Sequence, residues 1–373
     1  MTTTTLNPPD QITAGTLDIR VTRVPRTRAM PKASDLGFGR IFTDHMFAMD
    51  YEEGRGWFDA RIIPYGPIAM DPGASALHYG QAMFDGCKAF RAKDGRILLF
   101  RNKRHAARMS DGAPRLGMVA PDAETIHDAM KALVGFERDW VPSEAGTSLY
   151  LRPTLIGTEG FLGVRAAKKY LFYIILSPVG AYYADGMKPV RIWVEKDYIR
   201  AAKGGLGAVK AGANYAASLS AATEAQKRGY AQVLWLDALE HRYCEEVGVM
   251  NLFVQFKDEI VTAPLLGTIL AGVTRDSVIT LLRDWGYTVN ERRYAFDEIV
   301  EAKKNRTLGE VFGTGTAAVI SPVGEFGFTE GSLKASDGTI GPLAQRLHST
   351  LTSIQYGEAP DPHGWTEEMP GLA

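Results

Sequence analysis

The sequence has few cysteines, no excess charge of either sign and no long apolar run. Its two cysteines, Cys87 and Cys244, form no cluster at metal-ligand spacing, which argues against a disulfide scaffold or a cysteine-based metal centre. Lys and Arg number 42 against 43 Asp and Glu, a net charge of −1. A protein that coats nucleic acid or an anionic membrane is therefore not expected. The longest apolar runs, such as 171–176, have the length of a strand, well below the ~20 residues that span a bilayer.

A secretory signal is also missing from the first residues. Residues 1–5 contain neither the basic segment nor the apolar segment of such a signal. Both thiols are expected to be small buried hydrophobic groups rather than reactive ones. We therefore expect a cytoplasmic protein without a metal centre.

The chain is long enough for two domains. Its 373 residues, 45% of them apolar and 23% charged, are typical of a globular protein. Prolines and glycines concentrate between residues 177 and 189, which marks a connection. We predict a mobile arm over 1–35, a small α/β domain over 36–180, a loop over 181–189 and a large α/β domain over 190–373.

Local patterns predict several elements of the small domain. Residues 87–100 read as a hairpin closed at Asp94-Gly95 by a type I′ turn. Asn102 is expected to cap a helix that carries Arg108. A second helix follows Pro121, with an apolar stripe at Ile126, Met130, Leu133 and Val134. In the predicted strand 148–155, Tyr150 and Arg152 share one face because side chains alternate.

The run Gly313-Thr314-Gly315-Thr316-Ala317-Ala318 follows a predicted strand and formally matches a dinucleotide fingerprint. That fingerprint requires a following helix, and Pro322 leaves no room for one. Close-set amides and a hydroxyl still suit a phosphate or carboxylate. Standing alone, such a turn is more often structural.

A second possible anion site is Gly272-Val273-Thr274, at the start of a patterned helix. Helix N-termini attract anions through unpaired N–H groups and the helix dipole, although most of them bind nothing. Two such sites in a chain without a P-loop suggest a phosphorylated cofactor rather than a nucleoside triphosphate.

Lys210 is flanked by seven small or apolar residues in the window 207–215. Burial lowers the pKa of a lysine, as an amine that forms a Schiff base requires; a lysine that reaches out to solvent is the equal alternative. Glu246 enters an apolar strand, where a carboxylate is either solvated or holds a proton on a heterocyclic nitrogen.

Together these motifs resemble class IV pyridoxal-phosphate enzymes and, more narrowly, branched-chain amino acid aminotransferases. The resemblance spans roughly residues 38–322 in order and spacing. It is carried by the segments 38–46, 78–86, 150–153, 178–182, 210–215, 246–251, 272–275 and 315–317.

The resemblance implies fold type IV, like that of D-amino acid aminotransferase, and pyridoxal 5′-phosphate as cofactor. By it, Lys210 forms the Schiff base and moves the substrate proton, Glu246 holds the pyridine nitrogen and Tyr215 binds the phenolic oxygen. The phosphate is assigned to Arg108, Val273, Thr274 and Thr316.

The resemblance also implies transamination between leucine, isoleucine or valine and 2-oxoglutarate in a homodimer. An aromatic pocket with one cation suits both aliphatic side chains and a γ-carboxylate. The implied substrate-binding residues are Phe38, Tyr79, Phe84, Tyr150, Arg152, Tyr182, Gly315 and Ala317. For most of these aromatics, taken singly, core packing is the simpler explanation.

Three alternatives stay open. A D-amino acid aminotransferase or an aminodeoxychorismate lyase would share the cofactor, but the Tyr150/Arg152 pair and the segment 38–45 argue against both. A nucleotide-binding oxidoreductase would need the missing helix after Ala318. A non-catalytic pyridoxal-phosphate carrier would keep Lys210 without transamination.

Overall fold

The computed structural model describes residues 10–26, 29–180 and 187–369. The strands, in chain order, are β1 (Asp10–Ala14), β2 (Leu17–Val21), β3 (His45–Glu52), β4 (Gly56–Pro64), β5 (Ala82–Phe84), β6 (Cys87–Arg91), β7 (Ile97–Phe100), β8 (Ser148–Gly157), β9 (Lys169–Val179), β10 (Val190–Val194), β11 (Gln232–Leu236), β12 (Cys244–Val247), β13 (Met250–Gln255), β14 (Ile260–Thr262), β15 (Val289–Glu291), β16 (Val311–Gly315), β17 (Val319–Phe328), β18 (Gly331–Lys334) and β19 (Thr366–Glu368). The helices are α1 (Ala33–Leu36), α2 (Ser75–Tyr79), α3 (Asn102–Gly112), α4 (Ala123–Phe136), α5 (Gly212–Lys227), α6 (Val273–Asp284), α7 (Phe296–Lys304) and α8 (Pro342–Gln355).

The chain divides into two compact units. The first consists of Met1–Ala181 with Asp361–Ala373, and the second of Tyr182–Pro360. Of the expected loop 181–189, residues 181–186 lie outside the described part of the chain. Within the described ranges, no helix combines the length and apolarity needed to cross a membrane.

The first unit is built on a mixed sheet in the order β1-β2-β4-β3-β9-β8-β6-β7-β19, with β5 paired to β8. The interpretation of 1–35 as a mobile arm is wrong for residues 10–21. They form the antiparallel β1–β2 hairpin, and β2 pairs in parallel with β4. Ile19 and Val21 bury their side chains completely or nearly so. Each strand of the hairpin has only 5 residues, too few to show a clear alternation in the sequence.

The hairpin expected over 87–100 is confirmed, because β6 and β7 pair antiparallel. The predicted turn type is wrong. A type I′ turn needs two residues with positive φ, and only Gly95 in this loop has one, at 89°. Gly95 N donates to Ala92 O, and Ala92 N donates to Arg96 O. The connection is therefore a three-residue loop with glycine in the left-handed position.

Helices α3 and α4 pack on each other beside the sheet of the first unit. The apolar stripe predicted for the second of them is confirmed, since Ile126, Met130, Leu133 and Val134 are all fully buried. Asn102 does not cap α3; it is the first helical residue, and its amide lies 2.7 Å from His127 Nδ1 on α4. A buried histidine competes with the backbone for that amide, a contact that no local pattern reveals.

The second unit contains a closed ring of strands. β12 pairs with both β11 and β13, so that the order β12-β11-β10-β17-β16-β13 returns to its start. Most neighbours are antiparallel, whereas β10 pairs in parallel with β11 and with β17. The apolar core includes Leu234, Val247, Leu252 and Phe326, all at most 2% exposed. The absence of a helix after the glycine-threonine turn is confirmed, because β16 leads directly into β17.

Candidate active site

Lys210 and Tyr215 meet at the start of α5. The amine of Lys210 donates to the Tyr215 hydroxyl at 2.7 Å, and the lysine is half-buried. The Asn214 side chain donates to the carbonyls of Leu206 and Val209 at 2.8 and 2.9 Å, which fastens the loop before the helix. The turn into α5 thus brings together an amine and a phenol five residues apart.

Glu246 supplies a buried carboxylate on β12. It is 3% exposed, and its Oε1 accepts from Leu270 N at 2.8 Å. Its Oε2 lies 3.2 Å from Arg200 Nε, in an ion pair whose side chains are both less than 10% exposed. Arg200 also donates to the carbonyls of Gly207 and Thr268. A guanidinium and a backbone N–H together favour the ionised carboxylate, which would otherwise be costly to bury.

One cleft of the second unit unites these groups. Arg200, Tyr215, Glu246 and Asn251 all contribute to its wall. The remaining lining residues are small or apolar: Val209, Gly248, Val249 and Leu270, with Asn214 and Ser218 adding polar edges. The wall of the cleft therefore contains a phenol and a carboxylate, and the phenol accepts a hydrogen bond from the Lys210 amine.

Asp237 shapes the turn that leads into β12. Its carboxylate accepts from the backbone N–H groups of Leu239, Glu240, Arg242 and Tyr243 at 2.8–3.3 Å. Burial opposes the charged form, but these four hydrogen bonds outweigh it and lower the pKa of Asp237 from 3.8 to about 2. The turn therefore depends on an ionised side chain.

Replacing Asp237 with Asn is expected to lower the free energy of unfolding by about 2 kcal/mol near neutral pH. Because the pKa is lower in the folded state, the stabilisation is present above the unfolded value of 3.8 and disappears as the pH falls towards 2. Urea unfolding of both proteins between about pH 6 and pH 3 measures this. A difference between the two proteins that does not change with pH contradicts the explanation.

Helix α6 begins against the carboxylate of the cleft. Its N-cap is Gly272, and Val273 and Thr274 form its first turn. Asn251 donates to Leu270 O at 3.0 Å and more weakly to Glu246 Oε1 at 3.5 Å. The helix N-terminus therefore presents its amides close to the groups that hold Glu246.

Gly272→Ala is expected to destabilise the protein by about 1–3 kcal/mol. A Cβ at this position would lie 2.1 Å from Asn251 Oδ1 and 3.1 Å from the Cβ of Arg275. Asn251 must then give up its hydrogen bonds near Glu246. The matched control is Gly66→Ala, where a Cβ meets nothing within 4 Å. The midpoints of urea unfolding of the two variants measure the difference. Equal stability of Gly272→Ala and Gly66→Ala would contradict the expected crowding at Gly272.

The turn between β16 and β17 comprises Thr316, Ala317 and Ala318, after Gly315 at the end of β16. Val319 follows with a φ of 62°, which is strained for a β-branched residue. The hydroxyl of Thr314 is buried without a hydrogen-bond partner among the described residues. A strained residue and an unsatisfied hydroxyl in the strands on either side of one turn are typical of a functional site.

Two clusters in the first unit contain predicted residues. Arg108 on α3 donates from Nε to Asp85 Oδ2 at 2.8 Å and from Nη2 to Asp85 Oδ1 at 2.7 Å. His105, one turn earlier on the helix, places Nδ1 2.7 Å from Asp85 Oδ1. The predicted phosphate ligand is therefore held by a buried carboxylate that the sequence analysis did not assign.

The aromatic cluster of the first unit is built around Tyr150. Phe38 contacts Tyr150 with ring centroids 5.0 Å apart, and the Arg152 guanidinium lies 4.7 Å from the Phe84 ring. Arg152 Nη2 donates to the Tyr150 hydroxyl at 3.3 Å, which confirms that the two residues share a face. Arg152 Nε is buried and has no hydrogen-bond partner within the described ranges.

Two predicted substrate residues are not in this cluster. Tyr79 is 38% exposed and donates its hydroxyl to Leu162 O. Tyr182 lies outside the described residues. In the second unit, Gly315 and Ala317 are half-buried at the β16–β17 turn.

Asp85, Arg200 and Asn251 were assigned no role from the sequence, although the segments 78–86 and 246–251 contain Asp85 and Asn251. An acid between Phe84 and Gly86, next to a strongly apolar strand, was a usable signal for Asp85. Arg200 precedes a glycine-rich loop, and nothing local ties it to Glu246, 46 positions away. Contacts of that kind depend on strand pairing.

A phenol that binds an amine and an ion-paired carboxylate line one cleft, and this donor set suits an enzyme that handles an aromatic heterocyclic cofactor. The family model described as Amino-transferase class IV matches residues 83–326. Branched-chain-amino-acid aminotransferase 2 of Bacillus subtilis (strain 168) is 49% identical over 354 residues, covering 95% of this chain and 98% of that protein.

Solved structures agree with this likeness. The branched-chain amino acid aminotransferase of Escherichia coli superposes with a TM-score of 0.72 at 25% identity, covering 88% of this chain and 99% of that one. The enzyme of the same name from T.th. complexed with N-(5′-phosphopyridoxyl)-L-glutamate gives a TM-score of 0.68 at 27% identity, covering 86% of this chain and 98% of that one. The chain belongs to the class IV aminotransferases, and the predicted fold class is confirmed.

Proposed function

We propose that this protein catalyses reversible amino transfer between L-leucine, L-isoleucine or L-valine and 2-oxoglutarate, with pyridoxal 5′-phosphate as cofactor. The observation that carries the proposal is the meeting of Lys210 with Tyr215 beside the cleft that Glu246 lines. The Bacillus subtilis relative, 49% identical over almost the whole chain, has the name of this activity.

The donor set of the second unit fits the cofactor. Pyridoxal phosphate brings an aldehyde, a phenolic oxygen, a pyridine nitrogen and a phosphate, and its ring takes up the electron pair left when the substrate Cα–H bond breaks. We assign Lys210 to the aldehyde carbon, Tyr215 to the phenolic oxygen and Glu246 to the nitrogen. The partnerless Thr314 hydroxyl and the strained turn beside it also suit a ligand. The proposed phosphate ligands are Arg108, Val273, Thr274 and Thr316.

Lys210 is the group proposed to move the proton. Its amine is already hydrogen-bonded to a phenol, and the half-buried position limits its hydration. Glu246, paired with Arg200, keeps a negative charge in place to hold a proton on the ring nitrogen. The chain thereby provides a base for the substrate carbon and an anion for the nitrogen, each on a separate element.

The cluster of the first unit suits both kinds of substrate. Phe38, Phe84 and Tyr150 offer ring faces to an aliphatic side chain. Arg152, whose buried Nε has no partner among the described residues, offers hydrogen bonds to the γ-carboxylate of glutamate. We also assign Tyr79 and Tyr182 to substrate binding, and the amides of Gly315 and Ala317 to the α-carboxylate.

A homodimer completes the proposal. Leu77, Leu162 and Val164 are 62%, 72% and 86% exposed, and Tyr79 is hydrogen-bonded to Leu162 O within the same surface. An apolar surface of this kind is more typical of an interface than of a solvated face. Sedimentation of the purified protein as a monomer at micromolar concentration would contradict this part.

We further propose that the protein acts in the cytoplasm. Cys87 and Cys244 are buried free thiols, which confirms the expectation for them, and burial raises the pKa of both. Inert reduced thiols are typical of a reducing compartment.

Absorbance spectroscopy tests the function. Purified protein with pyridoxal phosphate is expected to absorb visibly, to lose that band on addition of L-leucine and to regain it with 2-oxoglutarate. D-alanine serves as the control amino acid, because a D-amino acid aminotransferase would respond to it. A protein whose spectrum ignores leucine, or responds to D-alanine instead, would refute the proposal.

A further inference from the structure

Asp85 is a completely buried acid of the first unit. Its exposed fraction is 0%, and its backbone N–H donates to Pro153 O, which anchors it to β8. Its Oδ1 accepts from Gly86 N at 2.7 Å, in addition to the contacts with His105 and Arg108. Such a dense set of contacts fixes both the position and the plane of the carboxylate.

The carboxylate remains ionised in this setting. Burial alone would raise the pKa of Asp85, but the charge of Arg108 and the ring of His105, with their hydrogen bonds, hold it well below its ordinary range. A charged acid and a charged base therefore face each other inside the first unit. Replacing a largely buried ion pair by apolar residues is often neutral or stabilising, so that stability alone does not explain this pair.

The contact uses one edge of the guanidinium. Nε and Nη2 of Arg108 meet the two oxygens of Asp85 in a bidentate fork. A fork of two parallel hydrogen bonds fixes the plane of the arginine, and Nη2 also lies 3.3 Å from His105 Nδ1. The fixed plane sets the direction of the opposite edge, between Nη1 and Nη2. The Arg108 side chain is 13% exposed.

We propose that Asp85 is a positioning residue, which orients Arg108 so that the outer edge of its guanidinium binds the phosphate of the cofactor. This inference rests on the proposed function, because the phosphate is that of pyridoxal phosphate. The negative charge of Asp85 by itself repels an anion, so that orientation and charge act in opposite directions. If removal of the Asp85 charge weakens phosphate binding, orientation of Arg108 is the larger effect; if it strengthens phosphate binding, repulsion is.

The main test is Asp85→Asn in the full-length protein freed of cofactor. The amide keeps the size but presents an N–H to one arginine nitrogen, which breaks the fork. We expect affinity for pyridoxal phosphate to fall about 30-fold, and affinity for pyridoxal, which lacks the phosphate, to stay within about twofold. Tighter or unchanged binding of pyridoxal phosphate overturns the proposal, as does an equal loss for both ligands.

A double-mutant cycle with Arg108→Ala isolates the route of the effect. If Asp85 acts through Arg108, Asp85→Asn has no further effect on pyridoxal phosphate affinity once Arg108 is absent. A full loss of about 30-fold in that background overturns the proposal. Asp85→Glu, which keeps a carboxylate able to accept both N–H groups, is expected to restore most of the affinity.

Glu137→Gln is the matched control. Glu137 is a second buried acid of the first unit, 5% exposed and paired with His45. Its replacement is expected to change thermal stability without changing the ratio of the two affinities. Should Asp85→Asn not fold, His105→Asn removes one contact to Oδ1; a loss of about threefold for pyridoxal phosphate alone is expected, and an unchanged affinity overturns the proposal.

These outcomes are separable from failure of the proposed function. A wild-type protein that binds no pyridoxal phosphate, or does not respond to leucine, refutes the function. A wild-type protein that passes both tests, while Asp85→Asn keeps its phosphate selectivity, refutes only the positioning role.

Discussion

Lys210→Ala is expected to lower kcat for transamination by at least about 10⁴-fold. Lys210 is the amine assigned both to bind the aldehyde carbon of the cofactor and to move the substrate proton, and Tyr215 and Glu246 cannot replace it in either role. Pyridoxal phosphate is still expected to bind, since the other assigned contacts remain. Stopped-flow absorbance with L-leucine measures the loss.

Lys203→Ala is the matched control for this variant. Lys203 is exposed in the same loop segment, seven positions before Lys210, and we assign it no role. Its replacement is expected to leave kcat within about twofold. Borohydride reduction followed by peptide mapping then checks the assignment, because a label on any lysine other than Lys210 contradicts it.

Arg152→Ala is expected to affect the two half-reactions very differently. For glutamate and 2-oxoglutarate, kcat/KM should fall about 100-fold, since a carboxylate that loses its guanidinium partner in a buried site costs about 2–3 kcal/mol. For leucine the loss should stay below about fivefold, because ring faces rather than charge receive the aliphatic side chain. Single-turnover kinetics of each half-reaction measure the split.

Arg96→Ala controls for the loss of an arginine from the same unit. Arg96 is an exposed residue whose partners are Asp94 and Glu368, away from the Tyr150 cluster. Arg96→Ala should leave kcat/KM of both half-reactions unchanged. Equal losses for glutamate and leucine with Arg152→Ala would remove the argument that one pocket serves both substrates.

The predictable parts of the molecule depend on short-range patterns. The apolar stripe of α4 and the shared face of Tyr150 and Arg152 follow from helix and strand periodicity alone. The pairing of Lys210 with Tyr215 depends on residues close in sequence, because Lys210 directly precedes the N-cap of α5 and Tyr215 is in the first turn of that helix. In each case neighbours in sequence decide the contact.

The features that the sequence predicted wrongly, or did not predict, depend on contacts between residues far apart in the chain. Asparagine is a favoured residue at helix N-caps, but the side-chain amide of Asn102 is hydrogen-bonded to the buried ring of His127 instead. The β1–β2 hairpin replaces part of the predicted mobile arm because its order comes from pairing with β4, where Arg20 lies opposite Arg61 and Val21 opposite Ile62. Propensity is a weak guide where a tertiary partner offers a better hydrogen bond.

The sequence by itself determined which chemical groups are present: a balanced charge, two cysteines, a lysine among small residues and motifs that resemble one family. Only the tertiary structure decided which charged side chains pair with each other. Arg200 forms an ion pair with Glu246, 46 positions away in the sequence, and Asp85 binds Arg108, 23 positions away. The physical reason is that a buried charge must find a partner in three dimensions, and strand pairing rather than spacing brings that partner near.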